Sequence, residues 1–244
     1  MVTGAGSGIG AATALALAEA GACVHTTGRS PENLKAIGDQ LAATGSGTTA
    51  VLNVRDTGAF EQLIARAAEE TGQLSILVNN ASVRYFTPLM DATPEQEREM
   101  IDTLLLAPLA GTRAAVRTMH AHGLAGHIVN ISSTSSRLPD QGLYGALKTG
   151  IDNLNDTLRI EQENDPIRVI GTLPGAVATN LARHLPPEAL QASIAAVQAA
   201  PDVTFLLQPE DIARAVVYAV SQPAGISIDE ITVNPQADIQ PRMH

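Results

Sequence analysis

Short runs of apolar residues alternate along the chain with longer stretches in which apolar positions recur at helical spacing. The runs near 22–27, 48–54, 74–78, 126–132, 166–173 and 228–233 predict strands. Between them the pattern predicts helices near 9–20, 31–43, 57–71, 93–121, 143–163 and 209–221. Strand, helix, strand repeated in this way implies a parallel sheet, because each crossover returns the chain to the same end of the sheet and lays a helix on one face. The expected fold class is α/β: one domain over 1–244, a doubly wound parallel sheet of about seven strands with helices on both faces. Ser30-Pro31, Thr93-Pro94 with Gln96, and Gln208-Pro209-Glu210 each put a proline at the first helical position, the first two behind a capping hydroxyl. The segment 176–208, rich in Ala, Pro and Gln, fits no strand and is expected to form a substrate lid. Only Met1 and Val2 precede Thr3, so the first strand is expected to be truncated, at a cost in hydrogen bonds at the sheet centre.

Two clusters of chemistry sit on this framework. Thr3-Gly4-Ala5-Gly6-Ser7-Gly8-Ile9-Gly10 opens the first helical stretch, and small residues there allow a tight turn that brings a helix N-terminus up to a pyrophosphate. A glycine turn in this place, followed by strand and helix alternation, predicts a Rossmann fold. Far downstream, Tyr144 and Lys148 are four residues apart on a helix and share a face. An ammonium near the phenol favours the phenolate, so a group of ordinary pKa about 10 can exchange protons near neutral pH. The glycines hold a dinucleotide and the Tyr/Lys pair moves a proton, which together predict a nicotinamide-dependent oxidoreductase. The second strand ends in Thr26-Thr27-Gly28-Arg29, where an NAD site would place an acid to accept the ribose hydroxyls. A guanidinium suits a phosphate instead, so NADP(H) is the expected cofactor, with an ordinary surface arginine beside a turn as the alternative reading of Arg29. Asn53 closes the third strand, where it can bond adenine, and Asn79-Asn80-Ala81 ends the fourth, where backbone must pass close to the cofactor; turn chemistry at strand ends explains these asparagines equally well. Arg84, Tyr85 and Phe86, beyond the fourth strand, and His184 in the lid are candidate substrate contacts, with ordinary loop surface an equal reading.

Composition narrows the partners. A net charge of −10, from 25 acidic and 15 basic residues, argues against nucleic acid and acidic membranes and leaves a small-molecule substrate, which for the oxidoreductase expected above is a carbonyl compound or alcohol. No charged start followed by an apolar stretch marks a signal peptide and no run of about 18 apolar residues marks a membrane span, so a soluble, cytoplasmic protein is expected. Cys23, the only cysteine, excludes an intrachain disulfide and, lying in an apolar run, is expected to be buried. His120, His122 and His127 lack a Cys or carboxylate at ligand spacing, so no metal is expected and they are read as surface or helix-capping residues.

These residues together resemble the classical short-chain dehydrogenase/reductase family over essentially the whole chain. The family's glycine signature appears as Thr3 to Gly10, its Asn-Asn-Ala segment as Asn79-Asn80-Ala81, its serine strand as Ile128-Val129-Asn130-Ile131-Ser132-Ser133, its active-site helix as Tyr144 to Lys148, and the Pro-Gly turn after strand six as Pro174-Gly175. By this resemblance Tyr144 is the general acid/base, Lys148 lowers its pKa and binds the nicotinamide ribose, and Ser133 hydrogen-bonds the substrate oxygen while hydride passes directly between NADP(H) and carbon. A developing alkoxide needs donors already aimed at it, and a hydroxyl and a phenol provide them. The cofactor contacts it implies are Gly4, Ser7, Gly8, Ile9, Gly10, Arg29, Asn53, Val54, Asn80, Ala81, Tyr144, Lys148, Pro174, Gly175, Val177 and Thr179, the last where the family contacts the nicotinamide amide. It also implies strand order 3-2-1-4-5-6-7 and a homodimer or homotetramer built through the long fourth and fifth helices. Gln208-Pro209-Glu210-Asp211-Ile212-Ala213 and Ile228-Asp229-Glu230-Ile231-Thr232-Val233-Asn234-Pro235 look like the branch of NADP-dependent enzymes acting on 3-hydroxy acids and related short alcohols.

Three features depart from the family pattern. Ser133 and Tyr144 lie closer in sequence than is usual, so Ser132 stays a second candidate and the loop Arg137 to Gly142 is expected to be clipped at the pocket rim. Leu104 stands at the position of the usual catalytic asparagine, which holds a water in the proton relay behind the lysine. Leucine cannot hydrogen-bond, so reduced turnover is expected, with Thr103 a neighbour able to rebuild the relay. With the truncated first strand, these departures motivate a rival reading: a degenerate member that binds NADP(H) without turnover and acts as a binding or regulatory protein. The intact Tyr144 and Lys148 oppose it. A cofactor-free lyase or dehalogenase on the same scaffold should have lost the phosphate-binding glycines, and this chain keeps them.

Overall fold

The computed structural model describes residues 1–45, 47–163, 165–199 and 203–237. Seven strands, β1 (Val2–Thr3), β2 (Val24–Gly28), β3 (Gly47–Val51), β4 (Ile76–Asn79), β5 (Gly126–Ile131), β6 (Ile167–Pro174) and β7 (Glu230–Val233), form one sheet in the order β3-β2-β1-β4-β5-β6-β7. Every pairing is parallel. The helices are α1 (Gly8–Glu19), α2 (Pro31–Ala43), α3 (Thr57–Thr71), α4 (Pro94–Ile101), α5 (Ala107–Ala121), α6 (Gly142–Glu161), α7 (Pro187–Ala199) and α8 (Pro209–Val220). Successive strand residues point to opposite faces of a sheet, and the core divides accordingly. Val78, Val129 and Ile170 pack with Leu17 of α1, Ile37 and Leu41 of α2 and Val216 of α8. Their neighbours Leu77, Ile128 and Val169 pack with Phe60 and Ile64 of α3 and Ala115 and Met119 of α5. Burial on both faces is why these strands read as continuous apolar runs. The strand order reverses between β1 and β4, the point at which open sheets of this kind form a ligand crevice at their carboxyl ends.

The helix starts follow their capping chemistry. Ser30 accepts from Asn33 N at 3.2 Å ahead of Pro31, and Thr93 and Gln96 form a reciprocal capping box ahead of Pro94. β1 is short, yet pairing across the sheet centre extends past it: Val78 N donates to Met1 O at 2.9 Å and Ala5 N to Thr27 O at 3.0 Å. No described helix is long and apolar enough to cross a membrane.

Several expectations need correction. The single helix predicted over 93–121 is α4, a π-helical segment Asp102–Leu106, and α5. Pro108 has no N–H to offer the carbonyl of Leu104, and in its place Ala107 N–H reaches back five residues to Asp102 O. The segment 176–208 holds a 3₁₀ turn, Asn180–His184, and the helix α7, with one bridge between Val177 and Leu207 closing its base; residues 200–202 lie outside the described residues. Cys23 is exposed, because β2 begins only at Val24 and the cysteine falls in the preceding turn. His120 and His122 are exposed as expected, but His127 lies within β5, half-buried, with its Nε2 unpartnered. No cluster able to hold a metal occurs among the described residues.

Candidate active site

A cavity of about 1060 Å³ opens at the carboxyl ends of the central strands, walled on one side by the segment after β6. Fifteen of the sixteen residues expected to touch a cofactor line it: Gly4, Ser7, Gly8, Ile9, Arg29, Asn53, Val54, Asn80, Ala81, Tyr144, Lys148, Pro174, Gly175, Val177 and Thr179. Gly10 does not. It packs behind the turn, where a Cβ would collide with the Asn80 amide and the Gly4 carbonyl, so this glycine serves the approach of α1 to β1. Gly4 has φ +64°, and a Cβ there would come within 2.8 Å of Ala81 Cα. The Thr3 hydroxyl ties the two loops together by accepting from Asn80 N at 2.9 Å and Ala81 N at 3.1 Å. Ser7 gives α1 no side-chain cap, and no acidic residue occupies its first turn, so the helix presents free amides and the positive end of its dipole to the cavity. These features fit the pyrophosphate of a dinucleotide.

Tyr144 and Lys148, on α6, are both 4% exposed. Burial raises the phenol's pKa above its ordinary value, and the Arg84 guanidinium, followed by the hydroxyls of Ser133 and Ser82, draws it partly back. Both hydroxyls lie beside the phenol, and the buried Ser82 hydroxyl has no hydrogen-bond partner of normal geometry. Ser132 turns the other way, donating to Lys148 O at 3.3 Å, which leaves Ser133 as the serine beside the phenol. Lys148 shares the helix face of Tyr144, but its Nζ donates to Ile131 O at 2.6 Å and lies 5.7 Å from the ring centroid. The cation nearest the ring is Arg84, its guanidinium carbon 4.7 Å from the centroid. Burial lowers the Lys148 pKa to about 8, with Asp152 opposing.

Leu104, 1% exposed, packs with Val83, Met100, Tyr144 and Leu147 in an apolar cluster. Thr103 beside it is buried and lines the cavity. Behind the site runs a buried amide chain that the sequence reading missed: Asn79 Nδ2 donates to Asn130 Oδ1 at 2.8 Å, and Asn130 Nδ2 to Asn155 Oδ1 at 2.6 Å. Asn130 lies within a strand and Asn155 mid-helix, so their sole signal in the sequence is a polar residue within an apolar periodicity. Ser82, next to Asn80-Ala81, was missed for want of any motif.

At the cavity rim Glu99 of α4 joins three elements. One oxygen accepts from Arg29 at 2.9 Å and the other from the Tyr85 hydroxyl at 2.7 Å. These partners hold the Glu99 pKa below its ordinary value against the opposing effect of burial. The Tyr85 ring stacks on His184 with centroids 4.6 Å apart. Tyr85 and His184 thus brace the rim, while Arg84 and Phe86 line the cavity.

A doubly wound sheet with a glycine turn at its switch point and a buried Tyr and Lys on the cavity floor has the form of a Rossmann-fold oxidoreductase. Comparison with known proteins narrows that class. The profile of the short chain dehydrogenases matches residues 1–189, and the chain belongs to that family. An uncharacterized oxidoreductase of Staphylococcus aureus is 31% identical over 237 residues, covering 96% of each chain. A glycine betaine reductase of Emericella nidulans is 34% identical over 97% of this chain, which spans 18% of that protein's length. Among solved structures, the closed form of a serine dehydrogenase complexed with NADP+ has TM-score 0.84 and 30% identity, covering 100% of this chain and 98% of that one. An alcohol dehydrogenase of Thermococcus sibiricus complexed with 5-hydroxy-NADP has TM-score 0.81 and 27% identity, covering 96% and 95%.

Proposed function

We propose that the protein is an NADP(H)-dependent oxidoreductase that interconverts a carbonyl compound and a secondary alcohol. The observation that carries this reading is the buried Tyr144 phenol, faced by Ser133 and Arg84 on the floor of the cleft behind the uncapped N-terminus of α1. A nicotinamide bound there would supply or take up the hydride. In the reducing direction Tyr144 gives its proton to the carbonyl oxygen, and in the oxidising direction the phenolate recovers it. Ser133 donates to the same oxygen as charge develops on it. Lys148, steadied by Ile131 O, is placed for the ribose hydroxyls, and the amides of Gly8 and Ile9 for the pyrophosphate. The phosphate that distinguishes NADP from NAD falls to Arg29, which must leave Glu99 to meet it. The NADP-bound similar structures support that choice. The described residues of the segment after β6, 176–199 and 203–208, act as a lid over the cleft.

Leu104 favours a second reading, a member that binds NADP(H) without turnover, because an apolar side chain there offers no relay behind Lys148. One assay separates the two. NADPH consumption is followed against a panel of ketones, aldehydes and keto acids, with Tyr144→Phe alongside. The first reading predicts turnover reduced at least about 10³-fold in the variant with NADPH binding retained. Tight NADPH binding with no turnover in the wild type across the panel supports the second.

A further inference from the structure

Acidic residues outnumber basic ones 25 to 15 in this chain, yet the charged side chains lining the described cavity are Arg29, Arg84, Lys148 and Arg183, with no Asp or Glu among them. Three of the four are engaged: Arg29 by Glu99, Lys148 by Ile131 O, and Arg183 by His184, whose Nε2 accepts at 3.0 Å. Arg84 differs. Among the described residues it makes no ion pair, and its one side-chain hydrogen bond is to the neutral Oε1 of Gln141 at 2.8 Å. Its guanidinium carbon lies 4.3 Å from the Phe86 ring centroid and 4.7 Å from that of Tyr144, so the group is held between two aromatic rings beside the acid/base phenol. Burial lowers its pKa, with the Tyr144 phenol and the Asp140 carboxylate opposing, so the loss of water outweighs the anionic groups around it.

We propose that Arg84 is the substrate anchor, binding a carboxylate next to the reacting carbon, and that the substrate is a small oxo or hydroxy acid without an ammonium group. This rests on the oxidoreductase reading above. A carboxylate on Arg84 is planar and matches the guanidinium fork through paired N–H bonds, and it sets the adjoining carbon beside Tyr144. A phosphate dianion needs more donors than one fork held between two rings presents. A zwitterionic amino acid would bring an ammonium into a cavity whose described lining offers no carboxylate to receive it. The desolvated setting strengthens the pairing, and the acid-free lining steers anions inward despite the protein's negative charge.

The test is calorimetric titration of the NADP+-loaded protein with 2-oxobutanoate, its methyl ester and L-serine, for wild type, Arg84→Gln and Arg84→Lys. The expected result is that the acid binds at least about tenfold more tightly than the ester or serine, that Arg84→Gln removes this preference and leaves ester binding unchanged, and that Arg84→Lys restores part of it. Equal binding of acid and ester in the wild type overturns the proposal. So does equal binding of serine, or a loss in Arg84→Gln that falls equally on acid and ester. Because the readout is binding, carboxylate selectivity in a protein that consumes no NADPH would sink the oxidoreductase reading while leaving the Arg84 anchor standing.

Discussion

Glu99 holds Arg29 at 2.9 Å and Tyr85 at 2.7 Å, so a residue with no place in any motif links the end of β2 to the loop after β4. A phosphate recruited by Arg29 must compete with this carboxylate and then lie near it. Glu99→Gln keeps the size and the bond to Tyr85 but removes the competing charge. It is expected to tighten NADPH about two- to fivefold, as an ion pair half open to solvent allows, and to leave NADH unchanged in a fluorescence titration. An unchanged NADPH affinity would show that Arg29 does not meet the phosphate. Much of the site was legible at this scale, because Tyr144, Lys148, Ser133 and the glycine turn are local patterns with a chemical reason for their spacing. The partner of the phenol was not. Four-residue spacing put Lys148 on the right face, but which cation reaches the ring depends on where the loop after β4 carries Arg84, and no local spacing records that.

At the scale of elements, the π turn Asp102–Leu106 delivers Leu104 into contact with Tyr144 and the cluster around it. An asparagine there would bury an amide among Val83, Met100 and Leu147 at a cost of about 2–3 kcal/mol. Leu104→Asn should therefore lower the melting temperature by roughly 5–10 °C. It should also raise turnover, measured below the transition, if the relay behind Lys148 is what the leucine interrupts. A lower melting temperature with an unchanged rate would show that proton transfer does not depend on this position. The helix starts at Pro31, Pro94 and Pro209 could be read directly, since hydroxyl, proline and box partner lie within one turn. The π turn and α7 could not. The first needs Pro108 weighed against an otherwise continuous helical period, and the second hides in an Ala- and Gln-rich stretch whose Pro187-Glu188 start is a weak signal.

At the scale of the whole molecule, folding sorts charge at the cleft: in an acidic chain, the charged side chains of the described cavity lining are all basic. Strand order could be inferred from the family's motifs, but this sorting could not, since it depends on which charged residues face inward once the sheet has closed. The same burial couples stability to pH. His127 stands opposite Arg168 in the β5–β6 ladder, and burial first, then that positive neighbour, lowers its pKa from 6.5 to about 4. The unfolded chain therefore binds this proton more readily than the folded one between those values. Its contribution to stability is full above 6.5 and falls away as the pH drops toward 4. His127→Gln should flatten the fall in melting temperature across that window, and parallel curves for the two proteins would refute the assignment. Deuterium carried at the transferable position of NADPH should appear on the new carbinol carbon of whichever carbonyl compound is reduced, at a rate lowered at least about 10³-fold in Tyr144→Phe. A reduced product carrying no deuterium at that carbon would contradict the account.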